Sequence, residues 1–497
     1  MERHPAAERE AVRYGELAEA SWAWVLDQVR RDDDGPWIPE YAGDEHPEDR
    51  DSMHNGIGGL AHVLAELRLT RPWTSAEEDL ATAIGNRIRT TIPSTTTTTF
   101  FDGLVSSIGV LTALDQPGTA AALTRLHNLQ TTNGWPESFL AEPRYTPGAV
   151  ANDITLGTGA ILLGALWALR QDTNETDPAS RTPAPPHSPT PPDPTTRSGP
   201  STPSPAPAGA GAPPASFSRR ATELPDGAPT ALRSAAVELA GRAIQLLLGE
   251  REELATGVNW QFVSRRFRRD EPTEMPNFSH GLAGIAAVLA VAGVEFGRPE
   301  LVDVARRGVE HLLTIGITDD RGFRVPRVIP WAERHGDEFT YNWCHGGAGT
   351  AAAFAALEYA GVPSIAGESP TTWRRRCLDG VRFSGIPERL HPGFWDNDGR
   401  CCGTAGVGDA FLDAWHRDGD DRDLEFAVRM GDTLVAHAYP DGYWRFVEHR
   451  NDEPLLRPGV GWMQGAAGIA AYLFRLQRAT TGDHRAVARM ENWWTLQ

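Results

Sequence analysis

Arg400-Cys401-Cys402-Gly403-Thr404-Ala405-Gly406 decides how this chain is read. Two adjacent cysteines stand directly before a Gly-x-x-Gly step, and the step opens an Ala-rich apolar run of helical character. A near copy, Trp343-Cys344-His345-Gly346-Gly347-Ala348-Gly349, lies upstream, so three of the four cysteines hold equivalent places. Two pictures fit such an arrangement. Thiolates can gather around one zinc ion, or small cysteines can fill tight helix starts as buried apolar side chains.

The same order of helix, Gly-Trp loop, glycine step and Ala-rich helix recurs in both directions from that phrase. Glycine steps begin at Gly56, Gly103, Gly157, Gly281, Gly346, Gly403 and Gly465. A first amphipathic helix (Leu17, Ala20, Trp24, Val25, Val29) ends near Asp32 and is followed by a turn at Asp34-Gly35-Pro36-Trp37. Further helices are predicted at 78–92, 120–129, 235–248 (with Val237, Ile244 and Leu248 on one face), 301–313, 373–381, 426–435 and 486–494. Helix pairs repeating every ~50–65 residues stack as a solenoid or close into a ring. Seven units with one apolar helix each predict an all-α, seven-fold α/α toroid, a double ring with the Ala-rich helices inside. A Pro-, Thr- and Ser-rich stretch, 173–229, interrupts the repeat and has the composition of a disordered linker. The expected organisation is therefore 1–172 as the N-terminal part of the toroid, 173–229 as linker, and 230–497 as the C-terminal part with the thiol site.

Composition narrows the function. With 47 basic against 66 acidic residues and a formal charge of −19, the 497-residue chain is a poor binder of nucleic acid. All its basic residues are arginines, which excludes chemistries built on a lysine, such as P-loop hydrolysis, kinase catalysis and Schiff-base formation. No apolar signal core follows Met1, and the longest apolar run, 281–294, is too short to span a bilayer. Four cysteines in so long a chain make no disulfide framework, and a cytoplasmic location is expected.

If the glycine steps lie at one end of the inner helices, the residues just before them converge. Those pairs include Ser279-His280, Cys344-His345, Cys401-Cys402 and Met463-Gln464. Three thiolate ligands would leave a fourth position on Zn²⁺ open to substrate, as in catalytic sites. His280 is a candidate acid/base or a structural histidine, and His345 a candidate ligand or second proton donor. Asp153 reads as a helix cap, Cys377 as outer-helix packing, and His54 has no assigned partner.

The phrase Trp-Cys-His-Gly-x-x-Gly followed by Cys-x-Gly-Thr-Ala-Gly, on this repeat, resembles the lanthionine synthetase C (LanC) family over nearly the whole chain except the Pro-rich insert. The resemblance implies a toroid with catalytic zinc that adds a peptide cysteine thiol to dehydroalanine or dehydrobutyrine. It assigns Cys344 and Cys401 as zinc ligands, with Cys402 where most members carry histidine, as in a branch with a Cys-Cys-Gly phrase. It assigns His280 as catalytic histidine and Asp153 as its acidic partner. The family's arginine before the first zinc cysteine has no counterpart in Glu338-Phe339-Thr340-Tyr341-Asn342. Nothing in the remaining sequence accommodates a dehydratase, so the implied protein is a stand-alone cyclase whose partners are a dehydrated precursor peptide and a separate dehydratase. Two alternatives stay open. One is glutathione addition to dehydrated residues, or peptide scaffolding without catalysis. The other is carbohydrate processing on a toroid, drawing on Asp396, Asp398 and Asp409 and on Trp135, Trp260, Trp395 and Trp444.

Overall fold

The computed structural model of the protein describes residues 5–176, 231–271, 273–332, 337–388, 397–447 and 453–497. Most of the expected linker, and Phe394, Trp395 and Asp396, lie outside the described residues. Fourteen α-helices run through the described residues: α1 (Pro5–Asp27), α2 (Leu60–Thr70), α3 (Ser75–Thr91), α4 (Leu104–Ala113), α5 (Thr119–Leu129), α6 (Thr158–Thr176), α7 (Ala231–Gly249), α8 (Leu282–Glu295), α9 (Pro299–Ile315), α10 (Gly347–Tyr359), α11 (Pro370–Arg382), α12 (Thr404–Asp418), α13 (Asp421–His437) and α14 (Ala466–Thr480). Helix α6 thus continues through 173–176, beyond the boundary drawn from composition.

The even-numbered helices contact one another in sequence order, and α14 returns to α2, which closes the inner ring. The odd-numbered helices pack outside it: α7 on α6, α9 on α8, α11 on α10, α13 on α12, and α1 on α14. The sequence explains this division. Helix α8 is apolar all round and every residue from Leu282 to Gly293 is buried, whereas α9 buries one stripe, Leu301, Ala305, Val309 and Leu312. Alanine on the inward side of α10, at 348, 351, 352 and 355, lets the ring close around a residual cavity of about 70 Å³. The fold is an all-α toroid.

Each glycine step sits where an inner helix begins, and the reason is steric. A Cβ on Gly349 would stand 1.8 Å from the carbonyl oxygen of Trp343, and one on Gly406 1.8 Å from that of Arg400. Both carbonyls lie six residues back, because the preceding loop folds onto the helix start. The same loops place their tips on one face of the ring.

Three short antiparallel hairpins were not foreseen: β1 (Arg30–Asp32) with β2 (Gly35–Trp37), β3 (Glu252–Leu254) with β4 (Gly257–Asn259), and β5 (Ile317–Asp319) with β6 (Gly322–Arg324). Each turns at a glycine with positive φ, Gly35 at 114°, Gly257 at 141° and Gly322 at 117°. The loop tryptophans secure the outer helices. Trp135, Trp260 and Trp444 are buried, and their indole N–H groups donate to the carbonyls of Leu126, Leu247 and Leu434 at 2.8, 2.7 and 2.8 Å. These carbonyls belong to last turns that lack partners within the helix.

Two expectations need correction. Val237 is exposed, and the buried face of α7 is instead Ala236, Leu239, Ala240, Ala243, Ile244 and Leu247. The segment 486–494 is not an α-helix; only a short 3₁₀ turn forms, at Trp493–Leu496. Tertiary packing overrides helical preference there: Trp493 and Trp494 are buried, the Trp494 indole donates to Ala352 of α10 at 3.0 Å, and Arg489 pairs with Asp409 of α12 at 2.8 Å. No helix among the described residues is long and apolar enough to cross a membrane.

Candidate active site

The loop tips before the inner helices are laced into a circuit. Met53 N–H donates to Phe101 and Phe100 N–H to Thr155, both at 2.7 Å; Met463 N–H donates to His54 and Ser279 N–H to Cys344, both at 2.9 Å. Arg400 and Cys401 both donate to the Met463 carbonyl, at 2.9 and 3.0 Å. The Thr155 hydroxyl reaches the Ser279 carbonyl at 3.1 Å. Between the Cys344 loop and the Cys401-Cys402 loop the junction is made by sulfur.

There the three thiols meet. The Sγ atoms of Cys344, Cys401 and Cys402 lie within 4.8 Å of one another, with Cys344 and Cys402 at 3.5 Å. Tetrahedral Zn–S bonds of ~2.3 Å place sulfurs ~3.8 Å apart, so this trio has the spacing of a zinc ligand set. Its chemistry also fits a cation. Burial pushes the Cys344 thiol well up, while hydrogen bonds from Cys344 and Cys402 hold Cys401 well down. Without a cation the three sulfurs can share one negative charge, not carry three. Cys344 and Cys402 are buried and Cys401 partly so, and all three line a cleft of about 400 Å³. Cys377, by contrast, is wholly buried in α11, where burial pushes its thiol above the ordinary range, as expected of a packing residue.

His280 lines the same cleft, with a quarter of its side chain exposed, and its Nδ1 lies 2.8 Å from Oδ2 of the fully buried Asp153. Asp153 also caps: its Oδ1 accepts from Leu156 N–H at 3.1 Å. Its place, four residues before the glycine, is held in other units by Ser52, Thr99 and Asn342, whose side chains accept from backbone N–H groups of their own loops. The position is a turn position, and in this unit it carries a carboxylate turned toward histidine. His345 packs against His280 with ring centroids 5.3 Å apart, and burial, then the charges of His280 and Arg327, hold its imidazole well below the usual range. Glu40, Asp49, Asp102 and His54 also line the cleft; burial raises both Glu40 and Asp49.

Residues 244–487 match the sequence profile of the family described as "Lanthionine synthetase C-like protein". Over that segment the chain is LanC-like. Its fold is similar to that of nisin cyclase, with a TM-score of 0.53 at 11% identity, over 97% of this chain and 96% of that one. The Lin0763 protein from Listeria innocua gives a TM-score of 0.43 at 12% identity over 96% and 99% of the two chains. No curated protein matches in sequence.

The LanC-like site holds residues that sequence reasoning did not single out. Asn342 Oδ1 accepts from the Cys344 thiol at 3.3 Å and from His345 N–H at 3.0 Å, which ties the first cysteine to its own loop. Phe262 stands edge-on to His280 at 5.8 Å. Arg327, from the preceding loop, acts on His345 although no arginine occupies 338–342. Of the carboxylates of the carbohydrate reading, the two among the described residues are engaged elsewhere: Asp398 pairs with His437 at 3.1 Å, and Asp409 is buried among Arg400, Arg475 and Arg489.

Proposed function

We propose that this chain is a stand-alone thioether-forming cyclase, adding a peptide cysteine thiol to a dehydroalanine or dehydrobutyrine supplied by a separate dehydratase. The observation that carries the reading is one cleft lined both by three converging sulfurs and by a histidine backed by a buried aspartate. The same reading takes 1–172 and 230–497 as two parts of one toroid tethered by 173–229.

Cys344, Cys401 and Cys402 would hold Zn²⁺, which when bound stabilises a substrate thiol as thiolate near neutral pH. The chain's own residues do the rest. In the reaction the S–H proton leaves, an S–Cβ bond forms, the Cα=Cβ pair moves onto the substrate carbonyl, and Cα takes a proton. His280, backed by Asp153 at Nδ1, delivers that proton from the opposite edge of its ring. Asp153, fully buried and bonded to Leu156, holds the ring in place and offsets its charge. His345 walls the ring on one side and Phe262 on another. The inner-helix N-termini at this face favour the negative charge that develops.

Cyclisation leaves mass unchanged, so the test is loss of an alkylatable thiol. A peptide with one cysteine and one dehydroalanine is incubated with zinc-loaded protein, with and without glutathione, then treated with N-ethylmaleimide. The reading expects a peptide of unchanged mass that no longer alkylates. A glutathione adduct would move the assignment to intermolecular addition, and a cysteine that remains fully alkylatable would overturn both.

A further inference from the structure

The loop that supplies Asp153 holds another residue at the ring position of the cysteines. Two places before the glycine step stand Cys344, Cys401 and, in the third unit, Thr155, which is 2% exposed and lines the cleft with them. Its Oγ1 lies 2.8 Å from Asp153 Oδ2, 3.1 Å from the Ser279 carbonyl and 3.0 Å from His280 Nδ1. A local turn accounts for the first contact. The other two cross to a loop more than a hundred residues away, and both end at the catalytic candidate or its neighbour.

We propose that Thr155 is a positioning residue that, with Asp153, fixes His280 as the Nδ1–H tautomer and sets the plane of its ring. The role in turnover rests on the acid/base reading of His280; the tautomer does not. The hydroxyl has one proton and two oxygen acceptors, Asp153 Oδ2 and Ser279 O, so its lone pairs are left to face Nδ1. A bare Nδ1 would set its lone pair against a carboxylate oxygen at 2.8 Å. Nδ1 therefore keeps its hydrogen, shared between Asp153 and Thr155, in both charge states. Proton exchange is confined to Nε2, on the opposite edge of the ring. Two anchors of different direction also restrict ring rotation, which one carboxylate contact alone leaves free.

Thr155→Val keeps the β-branched shape and removes the hydroxyl; Thr155→Ser keeps the hydroxyl. With ¹⁵N-histidine protein, assigned by difference from His280→Gln, wild type is expected to show a protonated Nδ1 and an exchanging Nε2. In the valine variant the ring is free to turn away from Asp153, so it should show a mixture of tautomers, and the serine variant should show the wild-type pattern. With a dehydrated peptide, Thr155→Val should lower kcat ~10-fold or more with KM within ~2-fold and zinc content unchanged, and Thr155→Ser should recover most of the loss. A valine variant with the wild-type tautomer overturns the proposal, as does a kcat loss that serine does not restore. If wild type cyclises nothing, the cyclase reading fails while the ring signals still decide the role of Thr155.

Discussion

Cys344 Sγ and Cys402 Sγ stand 3.5 Å apart although 58 residues separate them, and between them run an inner helix, an outer helix and a loop. Two separate helix starts must be held in register for that contact, and backbone hydrogen bonds to Ser279 and Met463 hold them. The contact is thus a property of the ring, and each cysteine is a separate lever on it.

Cys344→Ala, Cys401→Ala and Cys402→Ala are each expected to lower zinc from about one per chain to a small fraction, measured by elemental analysis after dialysis against a mild chelator. Cys402→His should retain the metal, since imidazole is a good zinc ligand, and slow cyclisation because one less thiolate leaves the bound substrate sulfur less electron-rich. Full zinc retention by the double variant C344A/C401A would remove the site.

His280→Gln and Asp153→Asn separate proton transfer from metal binding. Both should keep zinc, and His280→Gln should lower kcat ~10²–10⁴-fold. Asp153→Asn keeps the turn, because an amide oxygen can still accept from Leu156 N–H, but gives up the charge behind His280. Its loss should therefore appear in kcat with little change in thermal unfolding.

Much of this was legible in the sequence because the glycine steps mark helix starts directly: Gly103, Gly281, Gly346, Gly403 and Gly465 each cap an inner helix at its N-terminus. The thiol trio was legible for the same reason, since position within a repeat fixes position in a ring. What was not legible depended on contacts that carry no repeat. The 486–497 segment follows Trp493 and Trp494 into the ring's interior against a helical pattern, and Val237 faces solvent because Leu239 and Ala240 on the same helix face inward. Thr155 and Asn342 are ordinary turn residues by type; a crossing loop gives Thr155 its partner near the site, and Asn342 meets the Cys344 thiol within its own loop.

Gly349→Ala tests the steric account of the step. The new Cβ would meet a backbone oxygen, Trp343 O, at 1.8 Å, so the loop must move. Destabilisation of about 3 kcal/mol or more is expected in urea unfolding. Because Trp343 adjoins Cys344, zinc affinity should fall as well. Gly482→Ala, where a Cβ meets nothing within 4 Å, is the control; its φ of 79° permits only a modest loss without any effect on zinc.

Trp444→Phe distinguishes a structural tryptophan from a sugar platform. The indole N–H bonded to Leu434 would be lost and the carbonyl left buried, costing roughly 1–3 kcal/mol of stability. Cyclase activity per folded molecule should be unchanged, because Trp444 does not line the cleft.

His62 carries a pH dependence that can be isolated. It is 4% exposed, its Nε2 lies 2.8 Å from Met53 Sδ, and its Nδ1 has no hydrogen-bond partner among the described residues. Burial, then the charges of Arg489 and Arg400, lower its pKa from 6.5 to about 3. Asp409 sits among the same arginines: burial pushes its carboxyl up, but Arg400, Arg475 and Arg489 outweigh that and hold it far below the usual range, so it stays charged as His62 titrates. The folded pKa of His62 is depressed, so the unfolded chain binds the proton first. Its contribution is fully present above pH ~6.5 and is lost as pH falls, amounting to about 4 kcal/mol by pH 3. His311, His345 and His416 are also lowered by burial and act in the same sense, as does any acid release of metal. The measurement is therefore a difference: urea midpoints of wild type and His62→Leu from pH 7 to pH 4. Leucine removes the buried imidazole without adding a polar group, so the variant should match wild type within about 1 kcal/mol at pH 7 and gain on it steadily below pH 6. Parallel curves would mean that His62 titrates alike in the folded and unfolded chain, and that the space beside Arg400 and Arg489 is wet.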